Sequence, residues 1–459
     1  MRKLKSPLLL MTIVLALMAC QTTPKNTGPS SGADTISLAP ITEWMQDAVI
    51  YEVNLRQYTP EGTFDAFAQH LPRLQELGVD ILWFMPIYPI GEKNRKGTLG
   101  SYYSISDYKA VNPEFGSMED FQAVVSQAHE LGMTVILDWV ANHTAWDHQW
   151  ITDHPEWYEK DSTGNMFGPF DWSDVAQLDY DNQELRSAMK DALEFWVREA
   201  NIDGFRCDVA GMVPVDFWED ASDALHSIKP VIMLAEDESE TALLHKAFNA
   251  NYGWAFHHHL NKIAQGEENA THAVAYFENL YSTYPNGAWP MQFTTNHDEN
   301  SWNGTVYERM GDAYPTMAAL TFMVEGMPLI YTGQEAGLNK RLEFFEKDEV
   351  DWSDLSMTPF YQSLIQLKKA NKALWNGTAG APMEFLPTNE TEKVLLFKRQ
   401  KDNNTVVALF NLSNEAVTVT AETGMEGSYK DALSGQELTF PLQNMELEAW
   451  NYRVVSITE

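Results

Sequence analysis

The feature of this sequence that most constrains its fold is a regular alternation of short apolar stretches with longer amphipathic ones. From about residue 45 the apolar stretches are typical of buried strands: "AVIYEVNL", "VDILWFMP", "MTVILDWV", "DGFRCDV", "VIMLAE", "MQFTTNH" and "PLIYTG". Between them, segments such as "MEDFQAVVSQAHELG" and "ELRSAMKDALEFWVREA" have the apolar spacing of helices. A further strand, the sixth, is predicted near "GWAFHHHL", which makes eight strand–helix units.

Eight such units over roughly 330 residues predict an α/β fold of the (β/α)8 TIM-barrel type rather than an open doubly wound sheet. No glycine-rich phosphate loop follows the first strand, which argues against a nucleotide-binding sheet. The barrel is predicted over residues 45–377, with a small inserted subdomain after the third strand at residues 141–182. Alternating strands such as "KVLLFKRQ" and "TVVALFNLS" then predict a C-terminal all-β sandwich domain over residues 378–459.

The N-terminal segment has the composition of an export signal. "MRKLK" is basic, "SPLLLMTIVLALMA" is apolar but short for a membrane span, and "LMAC" resembles a bacterial lipobox. Residues 1–19 are therefore predicted to be a lipoprotein signal peptide with Cys20 as the lipidation site, and residues 20–44 a polar tether. An ordinary secretory signal is the alternative. Both predict an exported protein, and lipidation predicts a membrane-anchored one, in the periplasm or at the cell surface.

The charge of the chain bears on its partners. The sequence has 65 acidic and 31 basic side chains, a formal net charge of −34. Electrostatic repulsion therefore argues against a polyanion such as nucleic acid, whereas a neutral ligand is easily accepted. If Cys20 is lipidated, Cys207 is the only unmodified cysteine and no intramolecular disulfide is expected.

Charged residues cluster where the predicted strands end, which is where barrel enzymes place their chemistry. The third strand ends in "DWVANH", the fourth in "FRCD", the fifth in "LAED" and the seventh in "TTNHD". These ends are expected to bring Asp208, Glu236 and Asp298 over one mouth of the barrel. Because neighbouring carboxylates repel one another, one can stay protonated as a general acid while another is ionised as a nucleophile. Such a pair is the usual equipment for cleaving a glycosidic bond with retention.

The four strand ends resemble the motifs of the α-amylase family of glycoside hydrolases (glycoside hydrolase family 13). Further segments that resemble the family's flanking motifs are "GSYYSISDYKAVNPEFG", "QLDYDNQELR" and "GMPLIYTGQEAGL". The resemblance extends over about residues 45–459. It implies an α-amylase-type glycosidase that cleaves α-1,4-glucosidic bonds in starch or maltooligosaccharides through a covalent glycosyl-enzyme intermediate.

Two alternatives to this function stay open. Within the same chemistry, the protein is an exo-acting α-glucosidase or a transglycosylase of the family. Outside it, the protein is a non-catalytic glucan-binding surface protein whose catalytic fold has become inert. The three intact carboxylates argue against the second alternative, because only chemistry would require all of them.

The resemblance also implies the roles of the charged residues. Asp208 matches the nucleophile, and Arg206 matches the arginine that keeps this carboxylate ionised and oriented. Glu236 matches the acid/base, and we prefer it to Glu238 because it directly follows the apolar run "VIMLA". Asp298 matches the third carboxylate, which binds two sugar hydroxyls. Without the other strand ends, Arg206 and Asp208 would be interpreted as a structural salt bridge.

Further residues match family positions that bind the substrate or a metal. Tyr103 matches the aromatic platform beneath the sugar, and His143 and His297 match histidines that bind its hydroxyls. Calcium is the only cofactor that the resemblance implies. Asn142 matches the family's usual calcium ligand, and more oxygen donors of the kind that a hard cation requires are Asp171, Asp174 and Asp179.

The loops around the mouth decide where along a glucan the enzyme cuts. The segment 86–102, "PIYPIGEKNRKGTLGSY", is glycine-rich and basic, and it is expected to act as a mobile lid or a sugar contact. The insertion 141–182 is short, so fewer residues are available to close one side of the cleft. This favours an open cleft and endo cleavage.

Overall fold

The structure, a computed structural model, describes residues 39–458. The predicted signal peptide 1–19, the lipidation site Cys20 and most of the tether lie outside the described residues. Within residues 39–458, none of the helices combines the length and the apolar character that crossing a membrane requires.

Eight parallel strands close into a barrel, which confirms the predicted fold class. Numbered along the chain, the first ten strands are β1 (Ile50–Val53), β2 (Ile81–Phe84), β3 (Thr134–Trp139), β4 (His143–Ala145), β5 (Val175–Gln177), β6 (Gly204–Cys207), β7 (Ile232–Ala235), β8 (Ala250–Tyr252), β9 (Trp289–Gln292) and β10 (Met327–Tyr331). All of these except β4 and β5 belong to the barrel. Their order around it is β1-β10-β9-β8-β7-β6-β3-β2, so β7 lies opposite β1.

The barrel strands β1, β2, β6 and β7 are buried along their whole length, which explains why they are mostly apolar, with Glu52 on β1 and Arg206 on β6 as the charged exceptions. Alternate side chains, such as Ile50 on β1 and Ile81 on β2, fill the interior of the barrel. The residues between them, such as Tyr51 and Leu82, pack with the helices on the outside. The charged side chains of these strands, such as Glu52 and Arg206, lie near the carboxyl ends of the strands.

Helices cover the outside of the barrel. They are α1 (Leu55–Tyr58), α2 (Phe64–Ala68), α3 (Leu71–Leu77), α4 (Met118–Glu130), α5 (Gln149–Asp153), α6 (Gln183–Glu199), α7 (Val215–Ile228), α8 (Leu243–Lys246), α9 (Trp254–Ala264), α10 (Ala270–Thr283), α11 (Val306–Met310), α12 (Tyr314–Met323) and α13 (Thr358–Ala370). A capping box starts α4: the Ser117 hydroxyl accepts from the Asp120 amide, and the Asp120 carboxylate accepts from the Ser117 amide. Local sequence therefore sets where this helix begins.

The predicted position of the sixth strand is wrong. "GWAFHHHL" belongs to α9, and the sixth barrel strand is the three-residue β8, "ANY", just before it. His257 is buried and His258 is exposed on this helix. A strand of three residues that includes alanine and asparagine has little β-propensity. The strand is therefore predicted in the more apolar segment beside it.

The inserted segment after β3 carries the antiparallel pair β4–β5, with His143 opposite Gln177. The C-terminal strands are β11 (Met383–Phe385), β12 (Val394–Lys401), β13 (Asn404–Asn411), β14 (Val417–Ala421), β15 (Gly427–Lys430), β16 (Glu437–Phe440), β17 (Leu442–Leu447) and β18 (Tyr452–Thr458). One sheet has the order β11-β12-β13-β18, and two smaller sheets are β14-β17 and β15-β16. Leu396 and Leu409 of the larger sheet pack with Val419 of β14, as in a sandwich.

Arg399 on β12 joins the C-terminal sheets to the barrel. Its buried guanidinium donates hydrogen bonds to the carbonyls of Met323 at 3.0 Å and Val324 at 2.7 Å, where α12 ends. The last carbonyls of a helix have no partners within it, so this side chain from the C-terminal sheet caps α12.

Candidate active site

Arg206 on β6 is at the centre of the candidate site. Its Nη1 lies 2.8 Å from Asp138 Oδ1 and 3.1 Å from Asp208 Oδ1, and its Nη2 lies 2.8 Å from Glu236 Oε2. Its Nε donates to the Tyr252 hydroxyl at 3.0 Å. A buried cation is tolerated only when it is well paired. The guanidinium has these partners, and it holds Asp208 and Glu236 side by side.

The sheet itself fixes where these two carboxyl groups stand. The Asp208 amide donates to the Trp139 carbonyl at 2.9 Å, and the Glu236 amide donates to the Cys207 carbonyl at 2.9 Å. The hydrogen bonds between the parallel strands thus continue one residue past β6 and β7. Both side chains are therefore placed on rigid backbone at the carboxyl end of the barrel, as predicted for its chemistry.

Val209 links the two carboxyl groups through its backbone. It directly follows Asp208 and has left-handed angles, φ 38° and ψ 47°, which are unusual for a β-branched residue. In this conformation its amide donates to Glu236 Oε2 at 2.9 Å. Such strained residues persist where the surroundings enforce them, and they concentrate at functional sites.

Burial raises the pKa of both Asp208 and Glu236. The neighbouring Glu236 raises the pKa of Asp208 further, and Arg206 opposes the rise in both groups. Two carboxyl groups with raised pKa values in one cleft favour a state in which they share a single proton. An acid paired with a nucleophile requires that state.

His297 connects three other groups of the site. Its Nδ1 contacts Glu52, its Nε2 lies 2.8 Å from the Tyr103 hydroxyl, and the same Nε2 lies 3.4 Å from Asp298 Oδ2. Burial disfavours the cation, but the Asp298 and Glu52 carboxylates raise the pKa of His297 to about 9. Burial also raises the pKa of Glu52, against the attraction of His297. We place the proton on the imidazole, because both of its nitrogens then donate to oxygen atoms.

Tyr103 and His143 line the same cleft. The Tyr103 hydroxyl donates to Asp138 Oδ2 at 3.0 Å, and its ring stacks on His297 with centroids 5.4 Å apart. Burial lowers the pKa of His143 to about 4, so its imidazole is neutral. A neutral imidazole carries one donor and one acceptor nitrogen, which suits hydroxyl groups.

The predicted site residues converge on one cleft of about 590 Å³ at the barrel mouth. Its lining includes Asp208, Glu236, Asp298, Tyr103 and His143. The other two, Arg206 and His297, are buried and contact lining residues. Glu238, the neighbouring acid, instead accepts a hydrogen bond from the Ala255 amide.

Two of the residues expected to bind calcium, Asn142 and Asp174, lie far apart. The Asn142 amide donates to His143 Nδ1 at 3.2 Å, and Asp174 lies 3.0 Å from Lys96 Nζ. The register of β4 and β5 puts Asn142 and Asp174 at opposite ends of the ladder, about 13 Å apart at ~3.3 Å per residue. Calcium needs about six to eight oxygens in one shell. Asn142 and Asp174 therefore cannot belong to one such shell.

Among residues 39–458, only one group of histidine, cysteine and acidic side chains has metal-binding spacing. It is His154, Glu156 and Glu184. The two glutamates are exposed, and His154 stacks on Trp157 with ring centroids 3.9 Å apart. This group is at the surface, and exposed carboxylates of this kind occur commonly without a metal.

The sequence analysis does not identify three side chains of the site. Glu52 interrupts the apolar strand β1, and a charge inside a buried strand is the signal that could have revealed it. Lys96 and Phe344 line the cleft from loops. Lys96 belongs to the basic segment 86–102 that is expected to be a lid or a sugar contact, although no single residue of it stands out. Phe344 has no sequence pattern that distinguishes a cleft contact from an ordinary residue.

The chain is similar to known proteins over most of its length. The alpha-amylase catalytic domain family matches residues 26–167 and 152–420. Alpha-amylase MalA of Haloarcula japonica is 27% identical over 412 residues, which cover 86% of this chain and 59% of that protein. The chain thus spans about three fifths of the length of that relative.

Solved structures match over nearly their whole length. An α-amylase from Lactobacillus plantarum is 31% identical with a TM-score of 0.80, over 89% of this chain and 98% of that chain. The maltogenic α-amylase AmyB from Thermotoga neapolitana is 28% identical with a TM-score of 0.82, over 90% and 99% respectively. Since the family match covers most of a barrel whose strand ends carry the expected carboxylates, the chain belongs to the α-amylase family of glycoside hydrolases.

Proposed function

We propose that the protein is a retaining glycoside hydrolase that cleaves α-1,4-glucosidic bonds in starch or maltooligosaccharides. The observation that carries the proposal is that Arg206 holds Asp208 and Glu236 on its two terminal nitrogens within one cleft. A formal net charge of −34 suits a neutral polysaccharide better than an anionic one. The relatives named as α-amylases support the same substrate class.

The first step transfers the sugar to the protein. An Asp208 oxygen attacks C1 of the sugar, while Glu236 gives its proton to the glycosidic oxygen and the C1–O bond breaks. Arg206 contacts both carboxyl groups and does not distinguish them. We assign the shared proton to Glu236, which matches the family's acid/base, and the negative charge to Asp208, which matches its nucleophile. The leaving chain departs with that proton, and the glycosyl group is bound to Asp208.

The second step returns both groups to their starting state. Glu236, now ionised, removes a proton from a water molecule whose oxygen attacks C1. The bond between C1 and Asp208 breaks, and the sugar is released. Two inversions at C1 leave the product in the α configuration of the substrate.

The remaining residues orient the sugar for these steps. The Asp298 side chain is 39% exposed, the most accessible of the three carboxylates, so it can accept hydrogen bonds from sugar hydroxyls. Tyr103 provides an aromatic surface for the ring, and His143 provides hydrogen bonds to its hydroxyls. His297, whose two ring nitrogens face Glu52, Tyr103 and Asp298, acts on the sugar through Tyr103 and Asp298. His297 also lies beside Asp298, with its Nε2 3.4 Å from Asp298 Oδ2, and so helps to orient that side chain.

The same proposal includes export and a lipid anchor at Cys20. The first 20 residues support this part of the proposal, because a basic segment is followed by an apolar segment and then by "LMAC". A tether rich in glycine, serine and proline would leave the catalytic barrel free to move above the membrane.

Replacing the nucleophile tests the proposed chemistry. Asp208→Asn should reduce turnover of maltoheptaose to below about one hundredth of the parent, because the amide cannot form the covalent bond. Asp181→Asn, at an exposed position, is the matched control and should retain full activity. NMR of the first products should show the α-anomer. A β-anomer, or an active Asp208→Asn variant with an unchanged melting temperature, would refute the mechanism.

A further inference from the structure

We infer that residues 91–100, here called the strap, close the cleft on the side of the glucan's non-reducing end. The enzyme would then remove short products from chain ends instead of cutting within long chains. This inference rests on the proposed function. It adds to that function the end of the glucan chain from which products are released. It differs from the open cleft and mobile lid that the sequence favours.

One half of the strap is held by the inserted segment after β3. Asp147 Oδ2 accepts hydrogen bonds from the amides of Glu92 at 2.7 Å and Lys93 at 3.1 Å. Farther along, Lys96 Nζ lies 3.0 Å from Asp174 Oδ1, and the Asp174 side chain is only 5% exposed. A poorly solvated ion pair of this kind is screened less than a surface pair.

The other half is held by the segment that follows β10. The Leu99 amide donates to the Phe345 carbonyl at 3.0 Å, and the Thr98 amide donates to Glu346 Oε1 at 2.9 Å. The Thr98 hydroxyl donates to the other oxygen of the same carboxylate. Arg56, which is buried, donates to backbone carbonyls of both segments and so joins them.

These contacts make the strap a bridge rather than a free loop. It starts at the insertion after β3, crosses the mouth beside β2 and β1, and ends against the segment after β10. Backbone that is hydrogen-bonded at both ends opens only when several bonds break together. The strap, through Lys96, therefore gives the cleft a fixed wall on this side of the barrel.

The position of Glu236 shows which end of the glucan meets the strap. Glu236 follows β7, which lies opposite β1 in the barrel. As the general acid it must reach the glycosidic oxygen, so the leaving part of the glucan extends towards β7. C1 and C4 are at opposite ends of a pyranose ring. The chain beyond C4, which leads to the non-reducing end, therefore points towards the strap.

The side chains at this end of the cleft fit a terminal sugar. The Phe344 ring lies beside the Tyr103 ring and is nearly parallel to it. The ring centroids are 6.2 Å apart and the ring planes are inclined by 17°. Lys96 and Trp172 line the cleft with them. A volume of about 590 Å³ is in the range of sites that enclose a small ligand, ~300–1,000 Å³. We therefore expect the chain to end against Phe344 and the strap, so that about one or two sugars lie before the cleaved bond.

Two substrates test this with the unmodified protein: maltoheptaose, and maltoheptaose blocked at its non-reducing end by a 4,6-O-benzylidene group. The free substrate should release glucose or maltose first, and the blocked one should react about 100-fold more slowly because its end group collides with the strap. Equal rates, with fragments from the middle of the chain, would overturn the inference and leave the proposed function standing. Cleavage of neither substrate would refute the proposed function, and the inference with it.

A variant of the strap provides the second measurement. Lys96→Ala, Thr98→Val and Glu346→Gln together remove one ion pair and one side-chain hydrogen bond of the strap and leave the contacts of Asp147 and Arg56 in place. The loosened strap should let the blocked substrate gain at least about tenfold in rate relative to the free one. The matched control is Lys190→Ala, Thr163→Val and Asp161→Asn, which removes an exposed ion pair and an exposed threonine–carboxylate pair. An unchanged ratio of the two rates in a folded strap variant would contradict the inference.

Discussion

The backbone amide of Val209 donates a 2.9 Å hydrogen bond to Oε2 of Glu236, and it does so from a left-handed conformation. Because Val209 directly follows Asp208, this bond ties the position of the proposed acid to that of the proposed nucleophile. Strained backbone of this kind costs about 1–3 kcal/mol. The left-handed conformation of Val209 is therefore retained although it lowers the free energy of unfolding.

Glycine adopts left-handed angles without strain, so Val209→Gly should leave the melting temperature unchanged or higher. The same change gives the donor more freedom, and kcat should fall about tenfold because the acid is less well positioned. Calorimetry and initial rates check both expectations. Asn444→Gly, at another exposed residue with positive φ, should leave kcat unchanged. A lower melting temperature for Val209→Gly would contradict the strain argument.

The charge on His297 predicts how stability depends on pH. Its pKa of about 9 in the folded protein exceeds the ordinary value of about 6.5. The contribution of protonated His297 to the free energy of unfolding is therefore complete below about pH 6.5. It is lost as the pH rises through 9. The free energy of unfolding of the parent, minus that of His297→Gln, should fall by up to about 3 kcal/mol across this window. A difference that does not change with pH would mean that the imidazole is neutral.

Much of the site could be predicted from the charged residues that follow the apolar strands. Parallel barrel strands bring their carboxyl ends to one face of the barrel, and this does not depend on the loops. This is why Glu236 could be separated from Glu238 by its place after an apolar run. The strap contacts could not be found in this way, since several of them join an amide to a backbone carbonyl or a carboxylate far along the chain. Backbone groups are the same in every residue, so such contacts leave no pattern in the sequence.

Removal of calcium should leave the protein unchanged. Asn142 and Asp174 lie too far apart to share an ion, and Asp174 is already paired with Lys96. We therefore expect the same melting temperature after dialysis against EDTA as before. A stabilising ligand raises the free energy of unfolding by mass action. A rise of more than about 2 °C when calcium is added back, close to 1 kcal/mol for a chain of this size, would show a bound ion.

The proposed lipid anchor has a separate test in cells. Cys20→Ser removes the only thiol of the "LMAC" segment, so the protein should move from the membrane fraction to the soluble exported fraction. Activity per molecule should be the same in both fractions. An unchanged distribution would show that an ordinary signal peptide, or another anchor, accounts for the location.

The cap that Arg399 places on α12 has a consequence for biosynthesis. The arginine follows Val324 by 75 residues, so the ribosome releases the carbonyl groups long before it releases their donor. Until β12 emerges, the last turn of that helix lacks its partner and the apolar surface beside it is uncovered. We therefore expect the end of α12 to reach its native packing only after the C-terminal sheet has been translated.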